Sequence, residues 1–376
     1  LDHHLGTQMD GLAVLQAIRS DPKTKSIPVV MASGGDDMQQ VVKCIEAGAD
    51  DFLLKPVDAT LLRAKLHSIL QKRHDQLREL EQFFPPRVAR QYRDNKEEAY
   101  KPQQKELITT LFCDIRQFST ISERIRRQND PALSIGWIND IMETMSECVL
   151  KYGGVIVDFV GDELFAMWGA PDDQPNQADL ARTAALEMLG SLPALNERWH
   201  GKLGQEIRVG IGIHSGPALV GNSGTRRKPK YGPMGDTVNQ GSRTQGASKY
   251  LKSSLVVTEA ALTHMSDHQF FQQRRLCKVK FVGIDQPIGL YELVPRTDSA
   301  EAQQQRIRFE VALELFEKAK TDAGLSNADL RKSASMLGEL LRESDHDGPE
   351  VALLARVTES LVTPSKWSEV FELPGK

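Results

Sequence analysis

Over the first 70 residues, short β-branched runs alternate with stretches of helical periodicity. The pattern predicts helix from Gly11 to Arg19, a buried strand at Ile27-Pro28-Val29-Val30-Met31-Ala32, and helix again from Met38 to Ala47. Asp51-Phe52-Leu53-Leu54 reads as another strand, and a helix opens near Asp58. Strands alternating with helices imply a parallel sheet. Leu1-Asp2 reads as the end of a further buried strand, so the chain is expected to begin partway into a domain, without the charged and apolar regions of a signal peptide.

From Ala59 to about Phe84 the helical pattern does not stop, with Leu66, Leu70, Leu77, Leu80 and Phe84 recurring at threes, fours and sevens. A two-chain coiled coil and a single helix packed on its own domain both account for that stripe. Pro85-Pro86 should break it, and the polar stretch through Pro102 reads as a linker. Apolar stripes return in residues 300–376 as Phe309, Leu313 and Phe316, then Leu337, Leu340 and Leu341. One or two helix pairs of tetratricopeptide type would fit, with too few repeats for a solenoid. The expected boundaries are 1–70, a helical linker over 71–104, a large unit over 105–295, and a helical region over 300–376.

Composition narrows the class. A chain of 376 residues suggests two or three domains, and 40% hydrophobic with 26% charged residues excludes wholesale disorder. Lys plus Arg is 47 against 51 for Asp plus Glu, without the basic excess of a nucleic-acid binder. No apolar run approaches the roughly 20 residues of a membrane span. Cys44, Cys113, Cys148 and Cys277 stand far apart, as reduced thiols of a cytoplasmic protein would.

Asp2, Ser33 and Lys55-Pro56 fall at the ends of successive predicted strands. In a parallel sheet those ends converge on one crevice, where a carboxylate, a hydroxyl and an ammonium could accept and hold a phosphoryl group. Any one of them alone would be an ordinary strand-end or loop residue. Together with Asp10-Gly11 and Gly48-Ala49-Asp50, the set resembles the response-regulator receiver domain. The resemblance implies phosphorylation at Asp2 by a histidine kinase acting on the full-length receiver, a switch hydroxyl at Ser33 and a phosphate contact from Lys55. The paired acids that hold Mg²⁺ in receivers belong to a first strand this chain does not contain.

A second constellation lies in the large unit. Leu107-Ile108-Thr109-Thr110-Leu111-Phe112-Cys113 is a predicted strand ending at Asp114; Val155 to Val160 and Glu163 to Trp168 are two more, joined by Gly161-Asp162. A Gly-first connection suits a II′ hairpin turn, which alone would explain the pair. Asp114 at a neighbouring strand tip adds a second carboxylate, and two such groups can bind two hard cations, Mg²⁺ or Mn²⁺. Paired metals can activate a ribose hydroxyl and clamp a triphosphate for in-line attack. The βαββαβ order fits a ferredoxin-like core.

Further on, Arg208 to Gly216 runs into a Gly-rich turn, and the basic loop Arg226-Arg227-Lys228-Pro229-Lys230 leads to Tyr231 through Asn239. A following helix places Asn239 and Arg243 at i and i+4, on one face. An Asn can orient a sugar and an Arg can neutralise charge on a phosphoryl group. Alone, the pair would read as a solvated helix face.

Phe112-Cys113-Asp114-Ile115-Arg116-Gln117-Phe118-Ser119, Phe159-Val160-Gly161-Asp162, Gly210 to Gly216, and Gly235-Asp236-Thr237-Val238-Asn239-Gln240-Gly241-Ser242-Arg243 closely resemble the class III nucleotidyl cyclase catalytic domain. Val279-Lys280 fits its last motif less closely. The resemblance implies formation of a cyclic nucleotide and pyrophosphate from ATP or GTP by a homodimer with shared sites. Asp114, Asp162 and the Ile115 carbonyl of one chain would hold two Mg²⁺ or Mn²⁺ ions, while Asn239, Arg243 and Lys280 come from the other. Backbone N–H groups at Phe118 and Ser119 would touch the phosphates, and Asp158 and Gly232 occupy the positions that read the base. The overall class is thus α/β and α+β multidomain: a partial doubly wound receiver, a helical linker, a ferredoxin-like cyclase domain and C-terminal helices.

Guanine offers N1–H and N2–H₂, which an ionised Asp158 accepts, whereas adenine N1 would meet it lone pair against lone pair. An unpaired buried edge costs roughly 1–3 kcal/mol, about ten- to a hundredfold in discrimination, so GTP is favoured. Adenylate cyclase activity is the alternative, as is a degenerate, dimeric nucleotide sensor, since Val282 stands where relatives carry a second basic residue. Val160-Gly161-Asp162-Glu163-Leu164 also approaches the diguanylate cyclase signature, but those enzymes lack the downstream Asn239…Arg243 helix. The receiver–helix–cyclase order suggests regulation through pairing of the Ala59–Phe84 helix.

Overall fold

A computed structural model describes all residues except 3–4, 6–9, 22–23, 35–37, 82–83, 95–100, 128–129, 226–227, 267–270, 282, 285, 297–298, 322–323, 344–347 and 374–376. The chain divides into two compact units, one of residues 1–101 with 224–230 and the other of 102–223 with 231–376.

In the first unit the elements run α1 (Gly11–Ser20), β1 (Val30–Ser33), α2 (Met38–Glu46), β2 (Asp51–Leu54), α3 (Ala59–Glu81) and α4 (Pro86–Asp94). β1 and β2 are parallel, and Asp2 bridges Ala32 in the same sense. Leu15, Val29, Met31 and Cys44 form the core. Asp10 caps α1 by accepting from the Ala13 N–H at 2.8 Å, which holds one of the orphan donors of the first turn.

Three expectations need correction here. β1 starts at Val30 rather than Ile27, because the Ile27 carbonyl accepts from Arg19 Nη1 and the Val29 N–H donates to the Asp50 carboxylate. Their backbone groups are therefore satisfied outside a ladder. Leu1 pairs with β1 through its backbone, yet its side chain is exposed. Pro85-Pro86 interrupts the helix, but Pro86 then opens α4, the first-turn position where its missing N–H costs nothing. α3 buries none of its residues within this chain, and Leu61, Leu66 and Leu70 remain exposed.

The second unit, to which β6 and β7 belong except for their residues within 224–230, begins with β3 (Gln103–Ile115), α5 (Phe118–Arg127), α6 (Pro131–Lys151), β4 (Val155–Val160), β5 (Glu163–Trp168), α7 (Gln177–Leu203) and β6 (Val209–Thr225). Then come β7 (Lys228–Met234), α8 (Asp236–Tyr250), β8 (Leu255–Thr258), α9 (Glu259–Leu262), β9 (Phe271–Lys280) and β10 (Ile288–Pro295). The remainder is α10 (Ala300–Glu317), the short β11 (Lys320–Thr321) and β12 (Gly324–Leu325), α11 (Asn327–Glu343), α12 (Gly348–Val362) and β13 (Val370–Glu372). The main sheet has the order β13-β9-β10-β8-β6-β3-β5-β4. Its β6-β3-β5-β4 part, with α6 and α7 as crossovers, is the ferredoxin-like βαββαβ arrangement.

Of the three apolar clusters on this sheet among the described residues, the two largest join it to helices. Trp137, Ile141 and Met145 of α6 and Ala181, Ala184 and Met188 of α7 pack on Leu111, Leu164, Trp168 and Ile211. The second joins Val256, Leu276, Val279 and Leu290 to Phe309, Leu313, Leu337, Leu353 and Val357. The C-terminal helices are thus built onto the sheet, which explains why their apolar stripes lack a repeat pattern of their own.

Candidate active site

β3 runs between β5 and β6, so the residue that ends it is fixed from both sides: Asp114 stands in register with Glu163 on β5 and Gly210 on β6. Asp162 immediately precedes Glu163, in the turn between β4 and β5. Gly161 takes φ 67°, the positive value that the first position of a II′ turn requires and that a side chain would oppose. The topology therefore brings the two carboxyl groups within hydrogen-bonding reach of each other. Burial foremost, then the hydrogen bond and charge of Asp114, push the Asp162 carboxyl up to about 7.

α8 supplies the facing side. It lies so close on the sheet that a Cβ on Gly212 would stand 2.1 Å from the Gln245 backbone nitrogen, so only glycine fits there. Gln245 Nε2 donates to the Gly210 carbonyl at 3.2 Å, tying the helix to the strand that flanks Asp114. With α8 seated, Asn239 and Arg243 line the same groove as Asp114 and Asp162, a cleft of ≈ 830 Å³ also walled by Arg116, Ser242, Lys249, Tyr250, Phe281 and Leu373.

All four side chains thus line one groove of a single chain, whereas the sequence expectation took Asn239 and Arg243 from the partner of a homodimer. Lys280, Asp158, Gly232, Phe118 and Ser119 do not line the groove among the described residues. Lys280 is exposed at the end of β9, next to the groove residue Phe281. Asp158 follows an irregularity in β4, and its Oδ1 accepts from the Phe159 N–H at 2.9 Å. Gly232 is buried, and a Cβ there would meet Val157 Cγ1 at 2.5 Å, a packing reason for glycine independent of any base. Phe118 and Ser119 open α5, whose first N–H groups lack helical acceptors. Ile115, the last residue of β3, is buried.

In the first unit an ion pair and the backbone of adjacent strand ends join Asp2, Ser33 and Lys55. Lys55 Nζ pairs with Asp2 Oδ2, and the Lys55 N–H donates to the Ser33 carbonyl at 2.8 Å. The basic-loop residues Arg226 and Arg227, and Val282, lie outside the described residues.

Arg116 stood within a matching motif of the sequence but carried no assigned role there. Its Nη2 donates to Ser248 Oγ at 2.6 Å and to the Ser253 carbonyl at 3.3 Å, tying the end of β3 to the end of α8. Burial lowers its guanidinium from the usual range, partly offset by the charge of Asp114. Ser242, Gly246 and Lys249 were legible in principle, since they continue the stripe of Asn239 and Arg243. Leu373 carries no local signal.

A pair of close carboxyl groups suits a hard divalent cation, whose charge would offset the burial and the neighbouring Asp114 that push the Asp162 carboxyl up. Among the described residues no group of three or more His, Cys, Asp or Glu side chains could hold a metal, so any cation would need further oxygen from backbone, water or substrate. His214 is excluded as a ligand or base. It is buried, its Nδ1 lies 2.8 Å from Thr258 Oγ1, and burial pushes it down to about 4.

Residues 1–67 match the response regulator receiver domain. Adenylate cyclase 1 of Rhizobium meliloti (strain 1021) is 33% identical over 187 residues, covering 50% of this chain and 27% of that protein. An adenylate cyclase of Anabaena cylindrica is 29% identical over 284 residues, 73% of this chain and 54% of the relative. The chain thus spans about half or less of these curated relatives. The structure of a bacterial light-regulated adenylyl cyclase shares the fold, with a TM-score of 0.50 at 21% identity over 67% of this chain and 71% of that one. No described helix is long and apolar enough to cross a membrane. The adenylate and guanylate cyclase catalytic domain matches residues 100–293, which hold both carboxylates, Asn239 and Arg243, and the chain belongs to that class III family.

Proposed function

We propose that this chain converts a purine nucleoside triphosphate, GTP in preference to ATP, into its 3′,5′-cyclic monophosphate and pyrophosphate. The observation that carries the reading is the groove in which Asp114 and Asp162 stand with Asn239 and Arg243. The ribose 3′-oxygen forms a bond to the α-phosphorus, the bond to pyrophosphate breaks, and the hydroxyl proton leaves to solvent. Asp114, Asp162 and the Ile115 carbonyl would hold Mg²⁺ or Mn²⁺, two ions per site. Bound there, the cations would lower the pKa of the attacking hydroxyl and neutralise phosphate charge.

The remaining roles belong to the chain. Asn239 orients the ribose, while Arg243 and Lys280 neutralise charge that builds on the phosphoryl oxygens. The N–H groups of Phe118 and Ser119, at the positive end of α5, cradle the phosphates. Asp158 accepts from the guanine N1–H and N2–H₂, with Gly232 beside the base. Although one chain lines its groove with all four side chains, the working sites are shared in a homodimer in this proposal, the metals on one chain and Asn239, Arg243 and Lys280 from the other. Exposed Phe159 and Val160 beside the groove support that reading, because an isolated chain would leave both wet.

Residues 1–70 act as the receiver, with Asp2 as the phosphoacceptor of a histidine kinase, and 71–104 couple it to the cyclase unit over 105–295. The exposed Leu66 and Leu70 of α3 support pairing of this helix between chains, which would set how the half-sites meet. Deleting residues 1–80 should therefore change activity or dimer affinity; no change in either ends the regulatory reading. The names of the two curated relatives favour ATP as the second reading. Incubating purified protein with Mn²⁺ and either ATP or GTP, and identifying the product by mass, tests the activity and the purine together; no cyclic product from either overturns it.

A further inference from the structure

Lys280 occupies a position that strand pairing alone would leave loose. On the β10 side the ladder of β9 ends at Val279, which pairs with Ile288. On the other side β13 runs parallel, with Val370 beside Lys278, Phe371 beside Val279 and Glu372 beside Lys280. Among the described residues, Lys280 therefore has its strand neighbour in β13 alone. A terminal residue with no partner frays, and an edge strand without a neighbour exposes its hydrogen-bonding groups.

β13 is anchored from several directions. Phe371 packs into the second apolar cluster, and the Arg356 guanidinium lies 4.5 Å from its ring centroid and 4.8 Å from that of Phe316. Arg356 also donates to the Ser368 carbonyl at 3.1 Å, and Trp367 Nε1 donates to the Phe316 carbonyl at 3.0 Å. Lys278 Nζ meets Glu369 Oε1 at 2.5 Å. Beyond the strand, Leu373 reaches the groove and lines it together with Phe281, the residue that follows Lys280.

We propose that β13 is a positioning element of the active site: by pairing with the last three residues of β9, it fixes Lys280 for phosphoryl transfer. This rests on the reading of Lys280 as a charge-neutralising group. It makes the C-terminal helices a scaffold that delivers a strand to the sheet edge, the same geometry by which an added peptide strand extends a sheet.

The test uses the full chain, a chain ending at Ser368, and Phe371→Ala, which loosens the anchor while leaving the rest of the sheet intact. Each is assayed with Mn²⁺ and nucleotide, alone and combined with Lys280→Gln, at enzyme concentrations high enough to follow residual turnover. Shortening should lower kcat by roughly tenfold, with KM within about twofold, because a displacement near 1 Å suffices for a loss of that size. Phe371→Ala should give a smaller loss of the same kind, and amide hydrogens of residues 278–281 should exchange faster in both. In the Lys280→Gln background neither change should cost more, since groups acting as a unit are not additive. Multiplying losses, unchanged exchange at 278–281, or a rise in kcat on shortening would overturn the proposal. Lys280→Gln at parental activity would instead overturn the role of Lys280 itself.

Discussion

The Asp114 and Asp162 carboxyl groups share a hydrogen bond although 47 residues separate them, because β5 pairs with β3 and the β4–β5 turn delivers Asp162 beside the end of β3. Asp162→Ala should abolish cyclic nucleotide formation, a loss of about a thousandfold or more, since a single remaining carboxylate cannot hold the cations that neutralise the phosphates. The unfolding temperature should hold or rise, because the substitution removes one of two crowded acids at a turn. Metal-dependent turnover near the parental rate would defeat the assignment.

The same pair makes cation binding depend on pH. With its carboxyl pushed up to about 7, Asp162 carries a proton below that pH in the cation-free site and loses it above. A divalent cation must displace that proton, so affinity should fall by about tenfold per pH unit below 7 and level off above it. The raised value also means the cation-free fold binds more protons than the unfolded chain between 3.8 and about 7, so this group's contribution to stability is fully present at low pH and lost as pH rises through about 7. Calorimetric Mn²⁺ titrations at pH 6 in two buffers of different ionisation enthalpy should report released protons, and at pH 8.5 almost none.

How far the site could be read beforehand follows from how local its parts are. Gly161-Asp162 is a turn signal within two residues, and Asn239 with Arg243 is a helix-face signal within five, so both stood in the sequence. The strands around Asp114 were equally plain, and with them the βαββαβ core. Pro86 marked the break between two helices, but that it also opens α4 was not legible, because proline both ends a helix and begins one. Arg116 and Leu373 could not be found this way. One reaches Ser248, 132 residues on, and the other arrives at the groove through three intervening helices.

Shared sites make a sharp prediction for mixtures. Asp114→Asn removes a metal carboxylate and Arg243→Ala removes the facing guanidinium, so each homodimer should be inactive. Random exchange would give about half heterodimers, each with one site spoiled twice and one intact, hence roughly a quarter of parental activity. Mixing the two purified variants and following the cyclic product tests this directly. Activity that stays at the level of the separate variants would place the whole site within one chain.

Purine choice turns on one residue. If Asp158 accepts from guanine, Asp158→Lys faces two donors with a third and loses the pairing, while adenine N1 gains a donor. GTP turnover should drop by about ten- to a hundredfold and ATP turnover far less. The hydrogen bond from the Phe159 N–H to Asp158 Oδ1 must then give way or be shared when guanine binds. Competition assays with both nucleotides in one tube read the ratio of kcat/KM; equal losses would mean that another group reads the base.

Gln117 offers a test of the phosphate cradle that leaves every proposed ligand in place. It sits between β3 and α5 with φ 58°, a left-handed conformation that costs a side-chain residue roughly 1–2 kcal/mol. Its carbonyl nevertheless accepts from the Ile121 N–H at 3.0 Å, so the strained residue starts the helix whose first N–H groups would meet the phosphates. Gln117→Gly should relieve the strain and raise the unfolding temperature by about 2–4 °C, with KM for nucleotide unchanged because the backbone path is kept. Gln117→Pro cannot take a positive φ, so it must swing the Phe118 and Ser119 N–H groups away, and KM should rise by about tenfold or more. Proline and glycine variants with equal KM would show that these two N–H groups do not hold the phosphates, since the dihedral angle at 117 redirects the chain that carries them.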